Sequence, residues 1–179
     1  MTKIRDDLLL ARSAVTSRIN APADKVDIAT WLLSIPDAEY QRCAPGDHIS
    51  AGYTTTDDGR PMSINVEQVG SALLIEHYVG EITDKLHCKM VSTSDVFSDG
   101  GRSKIQVIWE LTAKPDADGL EFTNEVTVHP TDEFLEFLER AGLTFDQASE
   151  AHKVASTAHN RLETPHFAKS IENAALAAA

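Results

Sequence analysis

Residues 13–34 read SAVTSRINAPADKVDIATWLLS, and this stretch decides the fold. Ser13 to Asn20 alternates apolar and polar positions, as a half-buried strand does. Asn20-Ala21-Pro22 then breaks the alternation. From Ala23 to Ser34 the apolar residues Val26, Ala29, Leu32 and Leu33 fall at helical spacing. Pro22 suits a helix start, because its φ is fixed and it has no N–H to leave unpaired. The spacing therefore predicts a strand running straight into a helix, which Pro36 ends or restarts. A second short helical turn, Asp37 to Arg42, reaches Pro45-Gly46.

Beyond that point the pattern changes to period two. Strands are expected at His48 to Thr56, Met62 to Val69, Ala72 to Val79, Lys85 to Phe97, Lys104 to Thr112 and Leu120 to His129. Asp57-Asp58-Gly59, Gly70-Ser71, Asp99-Gly100-Gly101 and Pro115 to Gly119 separate them, which is the signature of antiparallel hairpins. A helix follows from Thr131 to Ala141, with Thr131 as N-cap and Gly142 as stop. A second begins at Thr144 and extends at least to Glu163, where Pro165 kinks or ends it. A curved antiparallel sheet needs cover on one face, and one long amphipathic helix can supply it. The residue pattern thus predicts an α+β domain in which the sheet grips the C-terminal helix around an internal cavity. One domain spans 1–179, with its core at 12–172 and frayed termini, the low-complexity tail AALAAA among them.

Composition excludes several classes of function. Lys and Arg number 16 against 28 Asp and Glu, a net charge of −12, which disfavours nucleic acid and anionic lipid as partners. Two cysteines, Cys43 and Cys88, are too few for a disulfide framework and suit a reducing cytoplasm. No apolar run reaches membrane-spanning length. Phosphate-cradling glycine loops, C-x-x-C pairs and the G-x-S-x-G elbow are missing.

This order of elements resembles the START-like, helix-grip superfamily, also called SRPBCC, which includes pollen allergens and polyketide cyclase/dehydrase-type proteins. The residues that carry the resemblance are Ile19-Asn20-Ala21-Pro22-Ala23-Asp24-Lys25-Val26, with Trp31-Leu32 a turn or two later. It covers roughly Ser13 to Ile171. The resemblance implies a cavity between sheet and last helix that binds lipids, sterols, polyketides or hormones, with cyclisation or hydrolysis in some members. The helix at Thr131 to Ala141 is a departure, because it lengthens the usual connection into the terminal helix.

The C-terminal third adds candidate chemistry. His152, His159 and His166 lie in heptad register, and Glu163 follows His159 by one turn. On a helix these four share a strip roughly 60° wide. It borders an apolar stripe of Ala151, Val154, Ala155, Ala158 and Leu162, which reads as the buried face. His159 and Glu163 form H-x-x-x-E, whose two donors are close enough to share a metal ion such as Zn²⁺ or Fe²⁺. The same spacing equally describes an ordinary ion pair on a helix. Zinc-dependent hydrolases of acyl-phloroglucinols within the superfamily look similar here, and that likeness implies a second pair, something like His48 with Glu76.

Three readings follow. The first is a cavity that binds, and in a cyclase-like enzyme transforms, a small hydrophobic or aromatic molecule, with no cofactor. There His159 takes a proton with His77 or His152, Glu163 orients the imidazole, and His152, His166, Trp109, Tyr78 and Leu162 contact the ligand. The second is a zinc-dependent hydrolase with His159 and Glu163 as ligands. The third is a non-enzymatic carrier or partner-binding domain. A homodimer is left open.

Overall fold

The computed structural model describes residues 2–177. In chain order the elements are β1 (Ala11–Ile19), α1 (Ile28–Leu32), α2 (Asp37–Cys43), β2 (His48–Thr55), β3 (Pro61–Val69), β4 (Ala72–Asp84), β5 (His87–Ser98), β6 (Gly101–Asp116), β7 (Gly119–Pro130), α3 (Asp132–Ala141) and α4 (Phe145–Ala177). The seven strands form one antiparallel sheet in the order β1-β7-β6-β5-β4-β3-β2. The curved sheet grips α4, which is the helix-grip α+β fold. Among the described residues no helix is long and apolar enough to cross a membrane.

Period-two patterning sets the inner face. On β6, Ser103, Ile105, Val107, Trp109, Leu111 and Ala113 are buried, while Gln106, Ile108 and Glu110 alternate outward. Hairpin chemistry sets the register. The β6–β7 turn closes at Asp116–Gly119 and brings Leu120 opposite Ile19 of β1. A methyl group at Gly119 would overlap the Ile19 carbonyl oxygen. Gly119→Ala is therefore expected to cost about 1–3 kcal/mol, seen as a lower denaturation midpoint at unchanged slope.

The helical ends follow their capping residues. Thr131 accepts the Phe134 N–H at 3.1 Å, and Gly142 closes α3 in the left-handed region at φ 68°. Thr144 and Gln147 exchange a reciprocal capping box, the Thr144 N–H donating to Gln147 Oε1 at 2.9 Å and the Gln147 N–H to Thr144 Oγ1 at 3.2 Å.

Three expectations need correction. The first helix starts at Ile28, not Ala23. Asp27 caps it by accepting the Thr30 N–H, and residues 22–25 form a separate turn in which the Lys25 N–H donates to the Pro22 carbonyl. The Ile28 N–H is held by the Lys85 carbonyl in the β4–β5 turn, so tertiary contact displaces the helix start. Next, α4 does not end at Pro165 but runs through it to Ala177. Proline frees the carbonyl four residues back, which is that of Arg161 on the exposed side of the helix, not one facing the sheet. Helix α4 takes in residues 174–177 of the low-complexity tail, and Ala178 and Ala179 lie outside the described residues.

The third correction concerns which face α4 buries. Val154 and Leu162 are 61% and 38% exposed, and Ala151 and Ala158 are exposed too. The buried face carries His159, Asn160, Glu163 and Thr164, continuing into Phe167, Ala168 and Ile171. Polar ties hold it there. Ser149 donates to the Leu10 carbonyl at 2.8 Å, Asn160 Nδ2 to Ser13 Oγ at 3.0 Å, and the Asn20 N–H to Glu172 at 2.8 Å. From the other side, Trp31 Nε1 donates to Ser170 Oγ at 3.0 Å and meets Phe167 edge-on.

Candidate metal centre and pocket

Burying polar side chains of α4 demands partners. The sheet and the α2–β2 junction provide them. The chain folds back after α2, because the Asp47 and His48 N–H groups both donate to the Ala44 carbonyl. His48 is thereby turned inward, 5% exposed, and stacked on Tyr40 with ring centroids 3.8 Å apart. His48 Nδ1 lies 2.7 Å from the Tyr40 carbonyl, which can only accept, so this nitrogen carries the proton. That leaves His48 Nε2 to face Glu163 Oε2 at 3.1 Å.

His159 is oriented by the same device. Its Nδ1 donates to Asp47 Oδ2 at 2.9 Å, and its Nε2 faces Glu67 at 3.3 Å and Glu163 at 3.4 Å. Glu163 is itself fixed. Its Oε1 accepts from Asn124 Nδ2 at 2.8 Å, and Asn124 Oδ1 accepts from Trp109 Nε1 at 2.9 Å. Glu67, on the inner face of β3, accepts from the Tyr40 hydroxyl. One ring nitrogen of each histidine and a Glu163 oxygen thus lie within 4.8 Å of one another.

The electrostatics follow from this crowding. Burial alone would lower His159, but Glu163 and Glu67 override it and push the imidazole up to about 12. Burial would raise Glu163, but His159 and His48 hold it down to about 2. Glu67 is likewise lowered against its burial, chiefly by its bond to His159. Glu76 behaves oppositely, pushed well above the carboxylate range by burial and by the charge of Glu67.

His159, Glu163, Glu67 and Glu76, but not His48, line the inner end of a pocket of about 350 Å³ between the sheet and α4. Val96, Ile105, Val107, Val126 and Val128 form its apolar wall. The mouth lies where exposed residues line it, at the hairpin tips Ser71 and Asp99-Gly100 and at the α3–α4 junction around Ala141 and Leu143. Helix α3 therefore forms one lip, and Phe137 packs so closely on Gly100 that a Cβ there would collide with its ring.

The residues singled out in the sequence divide. His159, Glu163, His152, Tyr78 and Trp109 line the pocket. His77 does not: it is exposed on the outer face of β4, between the inward-facing Glu76 and Tyr78. Leu162 lies on the solvent side of α4, and His166 is turned out to the Cys43 carbonyl at 2.8 Å. Beside the histidines stands Glu67, where the expected pairing placed Glu76. Asp47, Tyr40 and Asn124 were not singled out as site residues. The adjacent Asp47-His48 and the polar alternation Ser63, Asn65, Glu67 on an inner strand face were the available signals.

No family model matches the chain, and no curated protein matches it in sequence. Solved structures do match in fold. The Zhui aromatase/cyclase from a Streptomyces species is 15% identical over 90% of this chain and 93% of its own, with a TM-score of 0.57. A START superfamily protein from Mycobacterium smegmatis is 13% identical over 94% and 99%, with a TM-score of 0.54. The di-domain ARO/CYC StfQ from the steffimycin biosynthetic pathway is 12% identical over 97% of this chain, with a TM-score of 0.59; the chain spans 53% of that protein. At such identities the likeness concerns the fold, which is START-like and shared with polyketide cyclases.

Proposed function

We propose that this protein is a metal-dependent enzyme of the hydrolase class that takes a small apolar or aromatic carbonyl compound into the pocket between the sheet and α4. One observation carries the reading. Ligand atoms of His48, His159 and Glu163 converge within 4.8 Å, and of these His159 and Glu163 line a pocket whose wall is otherwise largely apolar, with His48 buried behind them. A pocket that only dissolves an apolar ligand gains nothing from buried imidazoles and carboxylates, which are costly to desolvate.

The donor set fits a divalent ion. Both histidines have Nδ1 tied to an acceptor, the arrangement that fixes the tautomer and aims Nε2 in metal sites. Mixed imidazole and carboxylate donors suit zinc or iron. His48, His159 and Glu163 would hold the ion, with Glu67 a fourth donor beside His159 Nε2. When bound, such an ion polarises a carbonyl oxygen and makes water a nucleophile near neutral pH. The chain's own residues do the rest. Asp47 and the Tyr40 carbonyl orient the histidines, Asn124 turns Glu163 toward them, and the valine-rich wall holds the ligand body and excludes water.

A second reading draws on the aromatase/cyclases among the structural neighbours: a metal-free pocket in which His159 takes a proton next to a carbonyl. The local electrostatics weigh against it. Held up to about 12 between two carboxylates, His159 already carries its proton at neutral pH and cannot accept another.

Elemental analysis decides between the two. Tag-free protein dialysed without chelator is expected to carry about one equivalent of zinc or iron, and His48→Ala and His159→Ala each to lose it. Wild-type protein without metal after reconstitution would overturn the hydrolase reading and leave a ligand-binding pocket.

A further inference from the structure

We infer that Glu76 is the pocket's recognition donor: a buried carboxyl group whose unpartnered Oε2 makes the hydrogen bond, as O–H, to a carbonyl or phenolic oxygen of the ligand. The inference rests on the reading of the pocket as a ligand site, and adds to it the group that selects the ligand.

The alternation of β4 sends Glu76 and Tyr78 inward and His77 outward. Glu76 is 2% exposed and lines the pocket with Tyr78 and Trp109. Its Oε1 accepts from the Tyr78 hydroxyl at 2.9 Å. Among the described residues its Oε2 is a buried polar atom with no hydrogen-bond partner. The nearby cation, His159, is already held by Glu67, Glu163 and Asp47. Burial and the charge of Glu67 push the Glu76 carboxyl well above the usual carboxylate range, toward its neutral form. Because Tyr78 donates into Oε1, the acid proton belongs on Oε2, the atom without a partner. A buried O–H with nothing to bond bears the whole cost of its desolvation. A ligand oxygen relieves that cost, and a ligand without one does not, so the pocket discriminates between two molecules of the same shape.

A methyl naphthyl ketone and the matching ethylnaphthalene have that relation, and calorimetric titration of the full-length protein compares them. The wild type is expected to bind the ketone about tenfold more tightly. In Glu76→Leu the preference should vanish while the hydrocarbon still binds, which also shows that the variant is folded. Glu76→Gln should keep the preference, since its amide offers a carbonyl to Tyr78 and an N–H to the ligand. Equal wild-type affinities for the two probes would overturn the inference and leave the pocket reading standing, as would a ketone preference that survives in Glu76→Leu. Loss of the preference in Glu76→Gln would mean that the site needs an anion, and would overturn it equally. If neither probe binds, the pocket reading falls and the inference falls with it.

Discussion

Glu163→Ala is expected to destabilise the metal-free protein by about 3–5 kcal/mol, measured as the denaturation free energy of chelator-treated protein. Three groups depend on this carboxylate. His48 Nε2 lies 3.1 Å from Oε2, His159 Nε2 lies 3.4 Å from it, and Asn124 Nδ2 donates to Oε1 at 2.8 Å. All are buried, and truncation leaves them without this acceptor in a site water cannot easily refill. Glu163→Gln keeps the shape and the bond to Asn124, so it should lose only about 1–2 kcal/mol. Leu162→Ala, at the residue just before it, should change stability by less than about 0.5 kcal/mol, because Leu162 is 38% exposed. The contrast inverts what apolar patterning alone would predict for this helix. A Glu163→Ala cost below that of Leu162→Ala would mean that α4 presents the other face to the sheet.

That inversion marks where the sequence stops being legible. Hairpins were readable because turn residues at Gly70-Ser71 and Pro115–Gly119 combine with strict alternation, and a slip of one residue would expose the whole inner face. The α3 ends were readable because Thr131 and Gly142 act locally. In α4, by contrast, Ala151 and Ala155 line the pocket but Val154, Ala158 and Leu162 carry the apolar stripe round to solvent, while the inner strip is polar between His159 and Thr164. Its continuation was the better guide: Phe167 and Ile171, fully buried, extend the strip of Asn160 and Thr164 at helical spacing and point the same way. Following the bulkiest apolar residues back toward the N-terminus would have turned Glu163 inward. Apart from His159, the partners of Glu163 come from positions 48 and 124, and no local pattern relates residues so far apart. His77 was misplaced for a simpler reason. Both faces of β4 carry polar and apolar residues, so alternation alone could not say which faces α4.

Metal uptake should release protons, at least one per ion at neutral pH. In the metal-free cluster His159 faces Asp47, Glu67 and Glu163, with His48 across from it and Glu76 further along the sheet. The charge of Glu163 and Glu67 lifts it, against its burial, from 6.5 to about 12. An ion needs the unprotonated Nε2, so the proton that the carboxylates hold there must leave. The apparent affinity for zinc should therefore rise about tenfold per pH unit between pH 6 and 8. Calorimetric heats should also scale with the ionisation enthalpy of the buffer. The stability of the metal-free protein has the opposite dependence. A raised imidazole contributes fully below 6.5, and its contribution is lost as pH climbs toward about 12. The lowered Glu163 contributes above 4.5, and its contribution is lost as pH falls toward about 2. The two shifts describe one ion cluster seen from either partner, so its stabilising effect counts once and is greatest between 4.5 and 6.5. Raising the pH above that window weakens the cluster as an ion pair and favours it as a ligand set, because both effects remove the same proton. Buffer-independent heats and a flat affinity profile would mean that zinc binds without displacing that proton, and so not at His159.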